Sequence, residues 1–436
     1  MITVFLPLPN HSYNNTQISS SSTHYDSFNK EPESIISNKK FSEDYKLKTL
    51  LTLLGSLLLF SSCSSSRGVW KKHIVKAGPE IPGVMKNFPD VNAISANDFD
   101  KDGHIDIIAS FHGKVALYKG PDWKERIVLP QMPKDRTGRI AKRGCIHATL
   151  IDVDQDGDLD FVGSNRMLFW LECPDKPFED EWVCRMISLD VNGAHCIITA
   201  DVDRDGKIDL IANSWRDQKE SPIPDSITWF STPKNPKDGK LWQPNIFANR
   251  DAPGRNHYMG FGDVNKDGRG DIACGAPAGG WFAWWEQPMD PTKAWKKHML
   301  SDKDDGATNI LVLDLNNDGH MDFLGSRGHT KGILWFKGPD YEKIEIDPDF
   351  LTPHSLAAKD LDGDGDLDFV SCSSNLNGVA AWYENDGKGK FTKHVIDNAQ
   401  SSYDIRLNDI DKDGDLDILI GGHSNQNIVW YENPLK

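Results

Sequence analysis

The sequence predicts an all-β protein, a seven-bladed β-propeller with an acidic cation-binding loop in each blade and a ring closed by the N-terminal strand. Three observations predict it. A nine-residue phrase of the form DxDxDGxxD occurs seven times, its first aspartates 54, 49, 62, 51, 46 and 49 residues apart, and periods of that size mark stacked supersecondary units. Each copy lies between two apolar runs and is followed by an aromatic run, an alternation that reads as antiparallel strands joined by turns. The last unit stops one strand short, and the N-terminal part of the chain carries the strand it lacks.

The loops come first in the argument. "DFDKDGHID" supplies Asp98, Asp100, Asp102 and Asp106, and "DVDQDGDLD" supplies Asp152, Asp154, Asp156 and Asp160. "DVDRDGKID" brings Asp201, Asp203, Asp205 and Asp209; "DVNKDGRGD" brings Asp263, Asn265, Asp267 and Asp271. "DLNNDGHMD" brings Asp314, Asn316, Asp318 and Asp322, "DLDGDGDLD" brings Asp360, Asp362, Asp364 and Asp368, and "DIDKDGDLD" brings Asp409, Asp411, Asp413 and Asp417. None is an EF-hand: counted from Asp152, the position that needs a bidentate Glu is Gly163, and "LDFVGS" reads as a strand rather than a helix. The spacing still suits a hard cation, because side chains at positions 1, 3, 5 and 9 and the carbonyl at 7 can converge while glycine at 6 allows the sharp turn. Structural calcium, up to seven ions, is the expected cofactor.

Each unit then reads as four strands. Runs such as "CIHATLI" and "TNILVL" enter the loop, and runs such as "IDLIANS" and "LDILIGG" leave it, forming an inner hairpin. The third strand is aromatic, as in "MLFWLE", "WFAWWEQ" and "VAAWYEN", and the fourth opens on a ring, as in "WKERIV" and "WVCRMI". The chain ends at "NIVWYENPLK", a third strand. "WKKHIV" at 70–75 matches "WKKHML" at 295–300, so it completes the last blade and leaves no open inner edge.

The pattern resembles the FG-GAP or VCBS repeat family of calcium-dressed propellers from Trp70 to the C-terminus. That resemblance implies a fold and not an activity, since the scaffold serves adhesion, glycan binding and polysaccharide lysis alike.

Composition narrows the partners. The formal charge is -16, and the repeated loop positions hold 26 of the 65 acidic residues. Seven divalent ions would cancel all but two of those charges, and nothing provides the basic face that nucleic acid requires. The chain divides into a leader at 1–62, a linker at 63–69 and the propeller at 70–436, expected to be a monomer. Lys39, Lys40, Lys46 and Lys48 precede the apolar "TLLTLLGSLLLF", which is too short to span a bilayer, and "SSC" follows. This resembles a bacterial lipoprotein signal with Cys63 as the lipid-bearing residue. It implies an exported protein, anchored by lipid in the outer membrane or periplasm of a Gram-negative bacterium. Cys173 and Cys184 flank one hairpin turn and are either a disulfide or free thiols.

The site is expected on the face opposite the loops, where the first strands begin. Six residues before each loop the chain holds Asn92, Ile146, His195, His257, Thr308, His354 and Tyr403, with His147 one step away. Loops on the same face are basic in an acidic protein: Arg136, Arg139, Lys142 and Arg143 in one, with Arg166, Trp215, Arg216, Arg255, Arg327, His329 and Lys331 in others. An anionic oligosaccharide fits such a mouth, with Arg forks on a carboxylate or sulfate and Trp215 under a sugar ring.

Two classes of function follow. The first is a carbon–oxygen lyase acting by β-elimination on uronic-acid sugars, sulfated or not. Seven-bladed ulvan lyases and oligosaccharide dehydratases of polysaccharide-degrading bacteria are similar in architecture. From the residues themselves, His257 and Tyr258 are the base and acid candidates, His195, His147 and His354 the alternates, and Arg255 and Arg143 the carboxylate ligands, with Trp215, Arg216, Arg327 and His329 around the substrate. The second class is a non-catalytic glycan-binding or adhesion propeller on the cell surface. A transition metal gripped by the histidines is the lesser alternative.

Overall fold

Each acidic phrase forms the turn between the first two strands of a blade. Its fourth residue is left-handed in every copy: Lys101, Gln155, Arg204, Lys266, Asn317, Gly363 and Lys412 have φ between 53° and 76°. The glycine at position 6 follows with φ of 82° to 98°. A Cβ on Gly103, Gly157 or Gly206 would meet nothing within 4 Å, so backbone angle rather than crowding selects glycine there.

The computed structural model describes residues 68–79, 90–215 and 221–435. The leader 1–62, Cys63 and Arg216 lie outside them. Among the described residues there are seven four-stranded antiparallel sheets. Blade 1 runs through Ala93–Asn97, Asp106–Phe111, Lys114–Lys119 and Lys124–Leu129. Blades 2 to 6 repeat that order from first strands at His147–Ile151, Ile197–Ala200, Met259–Gly262, Asn309–Leu313 and Pro353–Lys359. First strands of successive blades pack beside one another around the centre. The protein is an all-β seven-bladed propeller.

Packing between blades comes from the second and third strands. Ile211 and Trp229 of blade 3 share a core with Ile272 and Trp285 of blade 4, and Trp170 of blade 2 packs with Leu210 and Phe230 of blade 3. Complete burial of each large apolar side chain contributes about 2–3 kcal/mol, which holds flat sheets face to face without a shared central core. All six described cysteines are free thiols, Cys173 buried and Cys184 exposed, so the disulfide alternative is not taken.

Blade 7 combines Asp404–Asn408, Asp417–Gly421 and Ile428–Glu432 with Lys71–Lys76 as its outer strand. Lys71 pairs opposite Glu432 and His73 opposite Trp430. The Lys71 Nζ and His73 Nε2 lie 2.9 and 2.7 Å from Glu432 Oε2, and the His73 ring stacks on Trp430 at 3.9 Å. Buried Trp70 reaches Trp382 of blade 6, ring centroids 6.5 Å apart. A chain beginning at Gly78 should therefore melt lower and scatter more light on heating than one beginning at Ser64, because it bares the Ile428–Glu432 edge. Matching melting curves would show that this strand contributes nothing to the ring.

Candidate functional site

The two faces of the ring carry different chemistry. On the loop face, the first aspartate of each phrase accepts the glycine N–H five residues on, as in Gly157 N to Asp152 Oδ2 at 3.1 Å. The ninth-position aspartate is buried in all seven blades. In six of the blades its carboxylate ties the loop to the end of the third strand: Asp160 accepts the N–H groups of Val153 and Cys173 at 2.9 and 2.8 Å, and Asp417 those of Ile410 and Asn433 at 2.9 Å each; in blade 3 Asp209 accepts only the Val202 N–H, at 3.0 Å. Burial pushes these carboxyls up, Asp209 and Asp271 to about 6, Asp368 and Asp417 to about 7 and Asp160 to about 8. The backbone bonds oppose that rise and the neighbouring aspartates add to it.

Residues of these loops could hold a cation. Ligand atoms of Asp98, Asp100 and Asp106 lie within 4.8 Å of one another, as do those of Asp152, Asp154 and Asp160 and of two further loops. The buried Oδ1 atoms of Asp98, Asp201 and Asp409 have no hydrogen-bond partner. A donor-free carboxylate oxygen recurring at position 1 fits a hard cation better than it fits a turn.

On the opposite face the mouth divides in two. Over blades 7, 1, 2 and 3 lies a cavity of about 720 Å³ whose lining includes Arg139, Lys142, Arg143 and Arg166 together with His195, Trp215, Tyr403 and His423. Asn92 and Asn165 complete it. Buried Asp135 anchors Arg166 at 3.2 Å and Arg139 at 3.6 Å, whereas exposed Arg143 has only a long pair with Asp90 at 3.7 Å. His423 Nδ1 lies 2.8 Å from Asn92 Oδ1, so that nitrogen carries the proton and Nε2 the lone pair. The Tyr403 ring sits 3.7 Å from both His423 and His354.

Over blades 4, 5 and 6, His257, His329 and His354 converge. The Nε2 atoms of His257 and His329 are 3.4 Å apart, and His257 lies 5.0 Å ring to ring from His354. His195 joins the two halves at 4.5 Å from His257. Burial holds His257 and His354 well below the usual imidazole range, and their imidazole neighbours push the same way. Burial, then Arg143, takes His423 down to about 3, while burial raises Tyr403 to about 12. The rings of His257, His354, His423 and Tyr403 are therefore neutral near pH 7.

Several expected roles change. Tyr258 is buried in the axial channel beneath the mouth and donates its hydroxyl to the Tyr403 carbonyl at 2.7 Å, so it is not presented as an acid. His147 is buried beside it; its Nδ1 accepts the Ile197 N–H at 3.1 Å and its Nε2 faces Arg406 at 3.3 Å, so both nitrogens are engaged. The Arg327 fork is spent on Asp304, at 2.9 and 2.6 Å, and on Glu345, at 2.9 and 2.6 Å, which removes it from the substrate. Trp215 donates its indole N–H to His195 Nδ1 at 2.5 Å, and Arg255 lies over its ring at 5.2 Å, so one face of the sugar platform is covered.

Residues 225–325 and 360–433 match the FG-GAP-like repeat family. These two segments resemble FG-GAP-like repeats. Its fold is similar to BBS1N in complex with ARL6DN, soaked with mercury, at 10% identity and TM-score 0.54 over 84% of this chain and 97% of that one. It is also similar to YCF48 from Cyanidioschyzon merolae at 12% identity and TM-score 0.50, over 84% of this chain and 99% of that one. Identities that low speak to the fold alone. No curated protein matches the sequence.

The candidate residues missing from the sequence reading are Asp90, His423 and the ion pair of buried Asp404 with half-buried Arg406, 3.1 Å apart in the channel. Two charged residues inside the inner strand "DIRLN" were the available signal for the pair. Arg327→Met should destabilise the propeller by about 3 kcal/mol in denaturant unfolding, since it strips buried Asp304 of its two guanidinium hydrogen bonds and leaves it Lys343, at 3.2 Å, and Ser301. Burial alone would raise the Asp304 carboxyl, but bonds from Ser301, Arg327 and Lys343 hold it below the ordinary range. Its contribution is therefore full above about pH 4 and fades as pH falls through the lowered value. Unchanged stability with lost anion binding would return Arg327 to the substrate.

Proposed function

We propose that this protein binds a carboxylated sugar at the mouth of the propeller and acts on it by β-elimination, on a scaffold whose acidic loops hold calcium. The observation that carries this reading is the shared cavity: four basic side chains face two histidines and a tyrosine, in a chain of net charge -16. His423 and Tyr403 line that cavity with Arg143, whose guanidinium and the His423 ring both lie within 4 Å of Asp90 Oδ2. Export and lipid attachment through residues 1–63 would bring such a site to the cell surface or periplasm, where polymeric glycans are met.

The chemistry follows from those positions. Arg143 receives the uronate carboxylate and stabilises the charge that grows there as the adjacent C–H is broken. His423 Nε2 takes that proton, its tautomer fixed by Asn92. At rest burial, and after it the charge of Arg143, depresses this imidazole, and a bound carboxylate offsets the second of these where substrate is present. Tyr403, kept protonated by burial, gives its proton to the oxygen that leaves the neighbouring carbon as the carbon–carbon double bond forms.

The product carries a double bond conjugated with the carboxylate, which absorbs in the ultraviolet, whereas binding or hydrolysis creates no such chromophore. Incubation with uronate oligomers should raise ultraviolet absorbance, and Arg143→Ala or His423→Ala should each slow the rise by about 100-fold or more. Cleaved chains point to a lyase; an oligomer of unchanged length that has lost one water points to a dehydratase. Saturable binding without any ultraviolet product, across carboxylated and sulfated glycans, would replace this reading by a glycan-binding or adhesion module.

Calcium in the loops has its own test. Removal with a chelator should lower the melting temperature and open the propeller to proteases, with recovery on adding calcium, because each loop gathers carboxylates that repel one another without an ion. Identical melting with and without chelator, in protein shown by elemental analysis to be metal-free, would end that proposal.

A further inference from the structure

We propose that His257, His329 and His354 form a binding site for one transition-metal ion of the zinc class at the mouth, separate from the carboxylate loops. Three successive blades bring these side chains together: His257 precedes the first strand of blade 4, His329 sits in the loop after Asp322–Ser326 of blade 5, and His354 lies in the first strand of blade 6. One nitrogen from each lies within 4.8 Å of the others. The 3.4 Å between the Nε2 atoms of His257 and His329 agrees with the ~3.3–3.4 Å that a tetrahedral angle sets between two nitrogens bound at ~2.0–2.1 Å.

A second observation points to a ligand. His257 and His354 are 2% and 1% exposed, yet Nδ1 of His257 and both nitrogens of His354 lack a hydrogen-bond partner. The Tyr403 main chain comes near enough to His354 to oppose its depressed basicity, without reaching hydrogen-bond geometry. A neutral imidazole always has one lone pair to satisfy, and at His354 an ion supplies what the protein does not. Packing alone would explain stacked rings, but not a buried ring with neither nitrogen bonded. Nitrogen donors without a carboxylate select zinc-class ions over calcium, so triad and loops would load with different metals. Three protein ligands leave one coordination position for water or an oxygen of a bound anion, and exposed His329 marks the side on which it opens.

The inference does not rest on the elimination reading, because its test is spectroscopic. Chelator-stripped protein, returned to excess calcium so that the loops are filled, is titrated with cobalt(II). One equivalent should give the strong visible bands of tetrahedral cobalt, displaced by zinc and not by calcium. His329→Ala, at an exposed side chain, should keep the melting temperature of the calcium-loaded protein and lose the bands, and His354→Gln should lose them too. No visible bands in the unaltered protein, or bands that survive both substitutions, would overturn the proposal.

Discussion

The buried aspartate that closes each acidic phrase is the constraint on which the ring depends. A carboxylate enclosed by protein is unfavourable unless its oxygens are satisfied, and in Asp160 and Asp417 both are met by backbone N–H groups from two different turns. One side chain thus fixes the start of its own loop and the exit of the aromatic strand beside it. The residue at that exit extends the tie to the neighbouring blade: Gln287 reaches the Val202 carbonyl at 2.6 Å, Asn385 that of Leu315 at 2.7 Å and Asn433 that of Leu361 at 2.9 Å. The same few atoms therefore set the turn, the hairpin and the spacing between blades.

Rigidity on that face releases the other for chemistry. The inner strands enter from the mouth, so whatever residue begins a strand is delivered to a common rim by a framework that does not need it for packing. This is why imidazoles can collect there without partners, and why the basic cavity over blades 7 to 3 and the histidine triad over blades 4 to 6 stand side by side, bridged by His195 on one flank and by Tyr403 on the other. Beneath them the channel is plugged by polar contacts of its own, Asp404 Oδ2 accepting the Ile94 N–H at 3.0 Å and Arg406 donating to the Ala148 carbonyl at 2.8 Å.

The fold was legible because every blade states it again; a period of seven aspartate phrases with alternating runs leaves little else to build. The site was legible only where it shared that period. Counting back from each loop found His195, His257 and His354, since a strand start has the same place in every blade. It misjudged His147 and Tyr258, one step out of register with that column, because neighbouring residues on a strand face opposite ways. Arg327 was misread for another reason: its partners, Asp304 and Glu345, are 23 and 18 residues away, and no local pattern announces an ion pair across a blade. His423 carried no signal at all, as its meeting with Asn92 depends on the ring being shut.

That meeting lies across the seam. Asn92 and His423 are separated by 331 residues yet bonded at 2.8 Å, and Asp90 beside them pairs with Arg143 of the following loop. A ribosome delivering this chain makes the basic wall of the cavity early and His423 almost last, after six blades have already emerged. Truncated products can therefore stack blades and bury tryptophans while lacking half of the cavity. Synthesis of blade 7, rather than acquisition of a stable core, is the step at which both walls of the cavity first exist together.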